Sequence, residues 1–209
     1  MRIFKKALLL LLIANIIRII PGCCECDDST MPFDFNKMDI INLDNSGDWT
    51  VTTNSDTMMA EAVAFEVELF DSLGYYYAEN FKSELKGFTS ARAMSCDCSF
   101  PLRANHYLTS IRITSLYALS PETEAGSDVS DFFVARPTNN SSSGGLYSSL
   151  ETICQDSNGK TYYDSGMESF GLFLTIPVEN NQARFVINVM FSDNSVLSDT
   201  TRLINIQSK

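Results

Sequence analysis

Histidine is almost absent from this 209-residue chain: His106 is the only one, and Trp49 is the only tryptophan. One histidine leaves a single candidate base for any Ser-His-Asp or Cys-His mechanism. No Gly-x-Ser-x-Gly elbow accompanies it. His106 stands in Arg103-Ala104-Asn105-His106-Tyr107, ahead of a β-like segment, and reads as a surface or packed residue rather than a base. The shortage also removes most catalytic zinc sites, which draw on several imidazoles. Basic residues are scarce as well, 15 Lys and Arg against 26 Asp and Glu, for a net charge of −11. Nucleic acid is excluded as a partner, because displacing counterions needs clustered Lys and Arg.

Long apolar runs are also missing, apart from one at the start. Arg2, Lys5 and Lys6 precede an apolar stretch from Ala7 to Ile17 that Asn15 interrupts and Arg18 ends. A spanning helix needs about 20 apolar residues; this run is too short and fits the central region of a signal peptide. Ile20-Pro21-Gly22-Cys23 then resembles the bacterial lipobox, with Pro21 in place of the usual small residue. The resemblance implies removal of residues 1–22 and acylation of Cys23 as the mature N-terminus. At about 0.8 kcal/mol per buried CH₂, two or three acyl chains hold a protein on a bilayer durably. The alternative is an ordinary secretory signal. Cys24-Glu25-Cys26-Asp27-Asp28 is similar to the acidic export tag of surface lipoproteins, or is simply an acidic tether. Cleavage removes four basic residues and no acid, leaving 11 basic against 26 acidic in 187 residues, a net charge of −15. The expected location is the outer membrane, lipid-anchored, facing either the cell surface or the periplasm.

Of six cysteines, five remain if Cys23 is acylated. Export favours disulfides. Cys24-x-Cys26 and Cys96-x-Cys98 each place two thiols on one face of an extended chain. A bond within either pair closes a strained ring, so the expectation is cross-linking between the pairs, in an unassigned order. Cys154 is then left over or displaces one partner. Four thiolates on zinc or copper are the rival reading, with tighter spacing than structural zinc sites use.

The body reads as all-β. Residues 23–37 look like a tether and residues 38–209 like one immunoglobulin-like or elaborated β-sandwich. The alternative is two smaller units split near 138–145, where Thr-Asn-Asn-Ser-Ser-Ser-Gly-Gly is linker-like. Met38–Leu43 is a short strand, Asn45–Asp48 a turn, and Trp49–Thr53 β-rich. Glu61–Phe70 is the clearest strand: Val63, Phe65, Val67 and Leu69 alternate with Ala62, Ala64, Glu66 and Glu68. Asn80–Lys86 is compatible with a short helix. Tyr107–Leu119 sets Ile111 and Ile113 on one face, with Tyr107 and Tyr117 in step. Pro121–Ser130 is a loop and Asp131–Ala135 a strand. Phe170–Pro177, Arg184–Ser192 and Thr201–Gln207 close the chain, the last two as a terminal hairpin turning at Asp193-Asn194.

Few motifs carry chemistry. Gly159-Lys160-Thr161 resembles the end of a phosphate-binding loop, but Cys154 stands where its first glycine is needed, so it reads as a turn. Asp156 and Asn158, with Asp164 downstream, are weak calcium candidates, as is the shorter Asp44–Asp48; turns collect the same residue types. Tyr75, Tyr76, Tyr77, Tyr162 and Tyr163 are candidate ligand-binding aromatics, suited to stacking on sugars or gripping a protein; the alternative is that some pack inward. Asp-Ser/Thr-x triplets beginning at Asp28, Asp56, Asp71 and Asp199 resemble a short O-glycosylation pattern that recurs by chance.

The lipobox, the acidic Cys-rich start, the length and the β-rich body together resemble small uncharacterised lipoproteins of gut-type gram-negative bacteria. Ile113-Thr114-Ser115-Leu116 and Ala125–Phe133 strengthen the likeness. The resemblance implies export and carries no catalytic residue. The expectation is a non-enzymatic, cofactor-free envelope domain that binds a glycan, a peptide or an envelope protein, with recognition on loops. A structural or assembly lipoprotein is the second reading. A hydrolase with a carboxylate pair is the third.

Overall fold

The computed structural model describes residues 30–47, 50–72, 102–138, 146–160, 163 and 166–207. Within them the chain is mainly β. Thirteen strands run in order: β1 (Met31–Phe33), β2 (Lys37–Asp44), β3 (Val51–Thr52), β4 (Thr57–Met59), β5 (Val63–Phe70), β6 (Leu102–Ala104), β7 (Leu108–Ser115), β8 (Phe133–Pro137), β9 (Met167–Leu174), β10 (Gln182–Ala183), β11 (Phe185–Phe191), β12 (Val196–Thr200) and β13 (Ile204–Gln207). One helix, α1 (Leu150–Gly159), lies between β8 and β9.

Two sheets face each other. The larger has the order β3-β2-β5-β9-β8, antiparallel throughout, and the smaller is β12-β11-β7. Sequence alternation decides what lies between them. Val63, Phe65, Val67 and Leu69 of β5 and Phe170, Leu172 and Leu174 of β9 join Ile111 and Ile113 of β7 and Phe185, Ile187, Val189 and Phe191 of β11 in one buried core. With period-two geometry, the residues between them face outward. Phe185 ties the layers together: its ring lies 5.6 Å from that of Phe65 and 5.5 Å from that of Phe133, both edge-on. Edge-to-face pairs of this kind add about 0.5–1.5 kcal/mol each beyond burial. Two small sheets, β10-β13-β4 and β1-β6, extend the body.

The helix closes one open side of the sandwich. It contacts β7 and β8, each an edge strand of its own sheet. Ser149 caps it by accepting the Thr152 N–H at 3.2 Å, and Glu151 complements the positive end of the dipole. Ile153, Cys154 and Ser157 form its buried face.

Several sequence expectations change here. The stretch through Lys37 is not all tether: Met31–Phe33 pairs in parallel with β6, and Phe33 and Phe35 are buried in the core. Tyr107 precedes β7 and is 48% exposed, and the strand ends at Ser115. There Ser115 Oγ donates to the Tyr117 carbonyl at 2.7 Å, within a turn. The terminal hairpin is β11-β12, not β11 with the last strand. Asn194 takes φ 67° in its turn, in the left-handed region expected of Asp193-Asn194. The chain then leaves this sheet, and β13 pairs with β10 and β4. Residues 156–160 are the end of α1 and its cap rather than a loop. β8 and β9, on either side of residues 138–145, are neighbours in one sheet over one core. Trp49 and residues 80–86 lie outside the described residues.

Candidate functional site

The outward side of the five-stranded sheet is built by strand register. Ile41, Glu66, Gly171 and Arg136 form one row across β2, β5, β9 and β8. Asp39, Glu68 and Ser169 form the next, and Leu43, Ala64, Phe173 and Val134 the row on the other side. Gly171 is required at the centre: a Cβ there would come within 2.7 Å of the Phe173 ring, which lies over the glycine. Phe173 is thereby 96% buried on an outward-facing row, although only Leu43, Ala64 and Val134 accompany it in that small cluster.

Arg136 sits on this ring. Its guanidinium carbon is 5.1 Å from the Phe173 centroid and 5.7 Å from that of Tyr147, within the range of cation–π attraction. The two rings meet edge-on at 4.9 Å. Backbone pairing of Ser148 with Ala135 at 2.8 Å holds Tyr147 in place, and the tyrosine stays 52% exposed beside the fully outward Leu146. Among the described residues, the Arg136 side chain makes neither an ion pair nor a hydrogen bond. Its planar donor edge therefore remains unused.

Carboxylates occupy the other half of the face. Burial, followed by the charges of Glu66 and Asp39, pushes the Glu68 carboxyl above its usual range. The face therefore carries one aromatic-backed cation on β8 and three carboxylates two and three strands away, on β5 and β2.

Next to this face, where β8 ends, a cavity of about 490 Å³ opens between the last turn of α1 and β9. Asp156, Lys160, Glu168 and Ser169 contribute its polar wall, and Ile153 and Phe170 its apolar wall. Lys160 Nζ bonds both oxygens of the buried Glu168. Burial still raises the Glu168 carboxyl, against the pull of Lys160. Ser169 shares a short hydrogen bond with Thr138, which joins the cavity rim to the outer face.

The other sequence candidates disperse. Tyr163 is core, not surface: it is 5% exposed, meets Phe33 and Phe35 edge-on at 5.3 and 5.6 Å, and its hydroxyl is 3.3 Å from that of Ser157. Asp156 and Asn158 lie two residues apart on a helix, so their side chains diverge by about 200° rather than converging as on a loop. Asp44 bonds Ser46 through both N–H and hydroxyl, and the same Asp-x-Ser turn recurs at Asp128 and Asp193. These bonds hold all three carboxyls below their usual range. Among the described residues, no group of three or more His, Cys, Asp or Glu is placed to hold a metal. Cys154 is a buried thiol without a disulfide, raised to about 11 by burial. His106 is half-buried, 3.9 Å from Asp34 and 3.7 Å from Asp193. Cys23, Cys24, Cys26, Cys96, Cys98, Tyr75, Tyr76, Tyr77, Tyr162 and Asp164 lie outside the described residues.

Sequence reasoning missed Arg136, Tyr147 and Phe173. Tyr147 and Arg136 are eleven residues apart, brought together beside the isolated β-bridge between Ala135 and Ser148, and no local pattern announces them.

A family profile described as Domain of unknown function (DUF5034) matches residues 35–202. A search of curated proteins finds no match. Among solved structures, a DUF4466 family protein from Parabacteroides merdae is similar at 11% identity and a TM-score of 0.36, over 86% of this chain and 46% of that one. The C-terminal domain of the Streptococcus agalactiae AgI/II polypeptide BspA is similar at 8% identity and a TM-score of 0.27, over 81% of this chain and 49% of that one. This chain spans about half the length of each. Likenesses at this level do not specify a fold or a ligand.

Proposed function

The chain belongs to the DUF5034 family, and we propose that it is a non-catalytic envelope binding domain that holds a glycan on the outer face of its five-stranded sheet. The observation that carries this reading is the Arg136 guanidinium, backed by Phe173 and Tyr147 and left without a polar partner. A buried or half-buried charge is ordinarily paired. One that is preorganised and unpaired on a surface suits a ligand, because the cost of ordering it is met before binding. The half-exposed Tyr147 ring offers an apolar plane for the C–H face of a sugar. Glu66, Glu68 and Asp39 are acceptors for its hydroxyls. In the sheet beneath, Gly171 leaves the room that the Phe173 ring fills as it backs Arg136.

Cys23 is the proposed lipid attachment point, and the acidic mature chain then stands off the membrane on that anchor. Loss of labelled palmitate incorporation in Cys23→Ala checks this part. Binding is checked by probing a glycan array with the purified protein and with Tyr147→Ala. The expected result is retention of a discrete set of glycans by the protein, weakened about tenfold or more in the variant. An array with no hits, with a partner protein recovered instead, returns the chain to the assembly reading.

A further inference from the structure

Resting on that reading, we propose that the saccharide it takes is an acidic one: a pyranose bearing a carboxylate, with Arg136 as the carboxylate-binding residue. The guanidinium has five donors in a fixed fork that matches a carboxylate two bonds at a time. Phe173 and Tyr147 pack against one side of it at 5.1 and 5.7 Å, their centroids 4.9 Å apart, which leaves its opposite side and its donors turned to a ligand. A neutral sugar leaves those donors half used, whereas a carboxylate satisfies them.

Charge placement selects a sugar over an acidic peptide. Arg136 is two strands from Glu66 in the same row, with only Gly171 between them. At about 4.8 Å per strand the Cα atoms are about 10 Å apart. The Phe173 ring fills the space over Gly171, so a ligand held by Arg136 that reaches past this ring meets a cation at one end and Glu66, Glu68 and Asp39 at the other. A uronate-type ring carries its single negative charge at one carbon and hydroxyls around the rest. It sets its carboxylate on Arg136 and donates hydroxyl protons to the carboxylates. An acidic peptide would bring further negative charges against three carboxylates, on a chain whose net charge is already −11.

The test is isothermal titration of the purified protein with a galactose oligomer ending in a single galacturonate (the galacturonate oligomer), the all-galactose oligomer of equal length, and an acidic hexapeptide. Arg136→Gln and Arg136→Lys are run in parallel, with melting curves confirming that both fold. The expected result is at least tenfold tighter binding of the galacturonate oligomer than of the galactose oligomer, weakening as salt rises. Arg136→Gln should remove that preference while changing neutral-sugar binding less than twofold. Arg136→Lys, which keeps the charge but loses the fork, should fall between. Equal binding of the two oligomers, or a preference that survives in Arg136→Gln, overturns this inference and leaves the glycan reading standing. Tighter binding of the hexapeptide overturns the choice of a sugar. Failure of both oligomers to bind, with the array also empty, overturns the inference and the glycan reading together.

Discussion

Single residues set both the turns and the site. Asp44, Asp128 and Asp193 each take the N–H and the hydroxyl of the serine two residues on, at 2.6 Å for each hydroxyl. That repeated Asp-x-Ser device is visible in the sequence, and it closes each of these three turns. Within the last of them Asn194 stands at φ 67°. Asn194→Ala is expected to cost about 1 kcal/mol because an alanine Cβ is strained there, while Asn194→Gly stays within about 0.5 kcal/mol of the parent. Chemical denaturation of the pair checks it. The residues of the candidate site were far less legible. Tyr163 was offered by its type yet packs on Phe33 and Phe35, whereas Arg136 gains its meaning only from a ring on β9 and a second one beyond β8.

At the scale of elements, strands with strict alternation were readable and short or bridging ones were not. β5 and β11 follow the apolar period directly, because one face of each meets the core. β1 and β10 are three and two residues long and too short to show a period. β12 reads Val-Leu-Ser-Asp-Thr with a largely exposed edge, so its pairing with β11 leaves little apolar trace. The helix escaped because its buried face is only Ile153, Cys154 and Ser157. Its end holds Lys160 against Glu168, which makes a pH-dependent prediction. The Glu168 carboxyl is raised above its ordinary 4.5. Its contribution to stability is therefore full below that value and is lost as pH rises through the folded value. Lys160→Met removes the cation from a buried carboxylate and is expected to destabilise by about 2 kcal/mol at pH 7. The deficit should shrink as pH falls toward 4.5, since a protonated Glu168 needs no counter-charge. Melting curves of parent and variant across pH 4.5–7.5 measure it; a pH-independent deficit would deny the pair its role.

At the scale of the whole molecule, the sandwich leaves its two outer faces unequal. Behind the smaller sheet, Arg112 is already matched with Asp128 at 3.2 Å. Behind the larger sheet, a stacked cation and three carboxylates remain unmatched to each other. Composition forecast an acidic, exported β-sandwich, argued against nucleic acid, and placed recognition on loops. The proposed site lies on a sheet face instead, because cross-strand register, which composition does not encode, assembles the charges and rings there. The measurement that tests this most directly is amide chemical-shift mapping of the protein titrated with a glycan retained on the array. The account predicts shifts concentrated at residues 134–138, 146–148 and 169–173, with Glu66 and Glu68 following. Shifts confined to β11 and β12 on the opposite sheet, with Arg136 and Tyr147 unmoved, would contradict it.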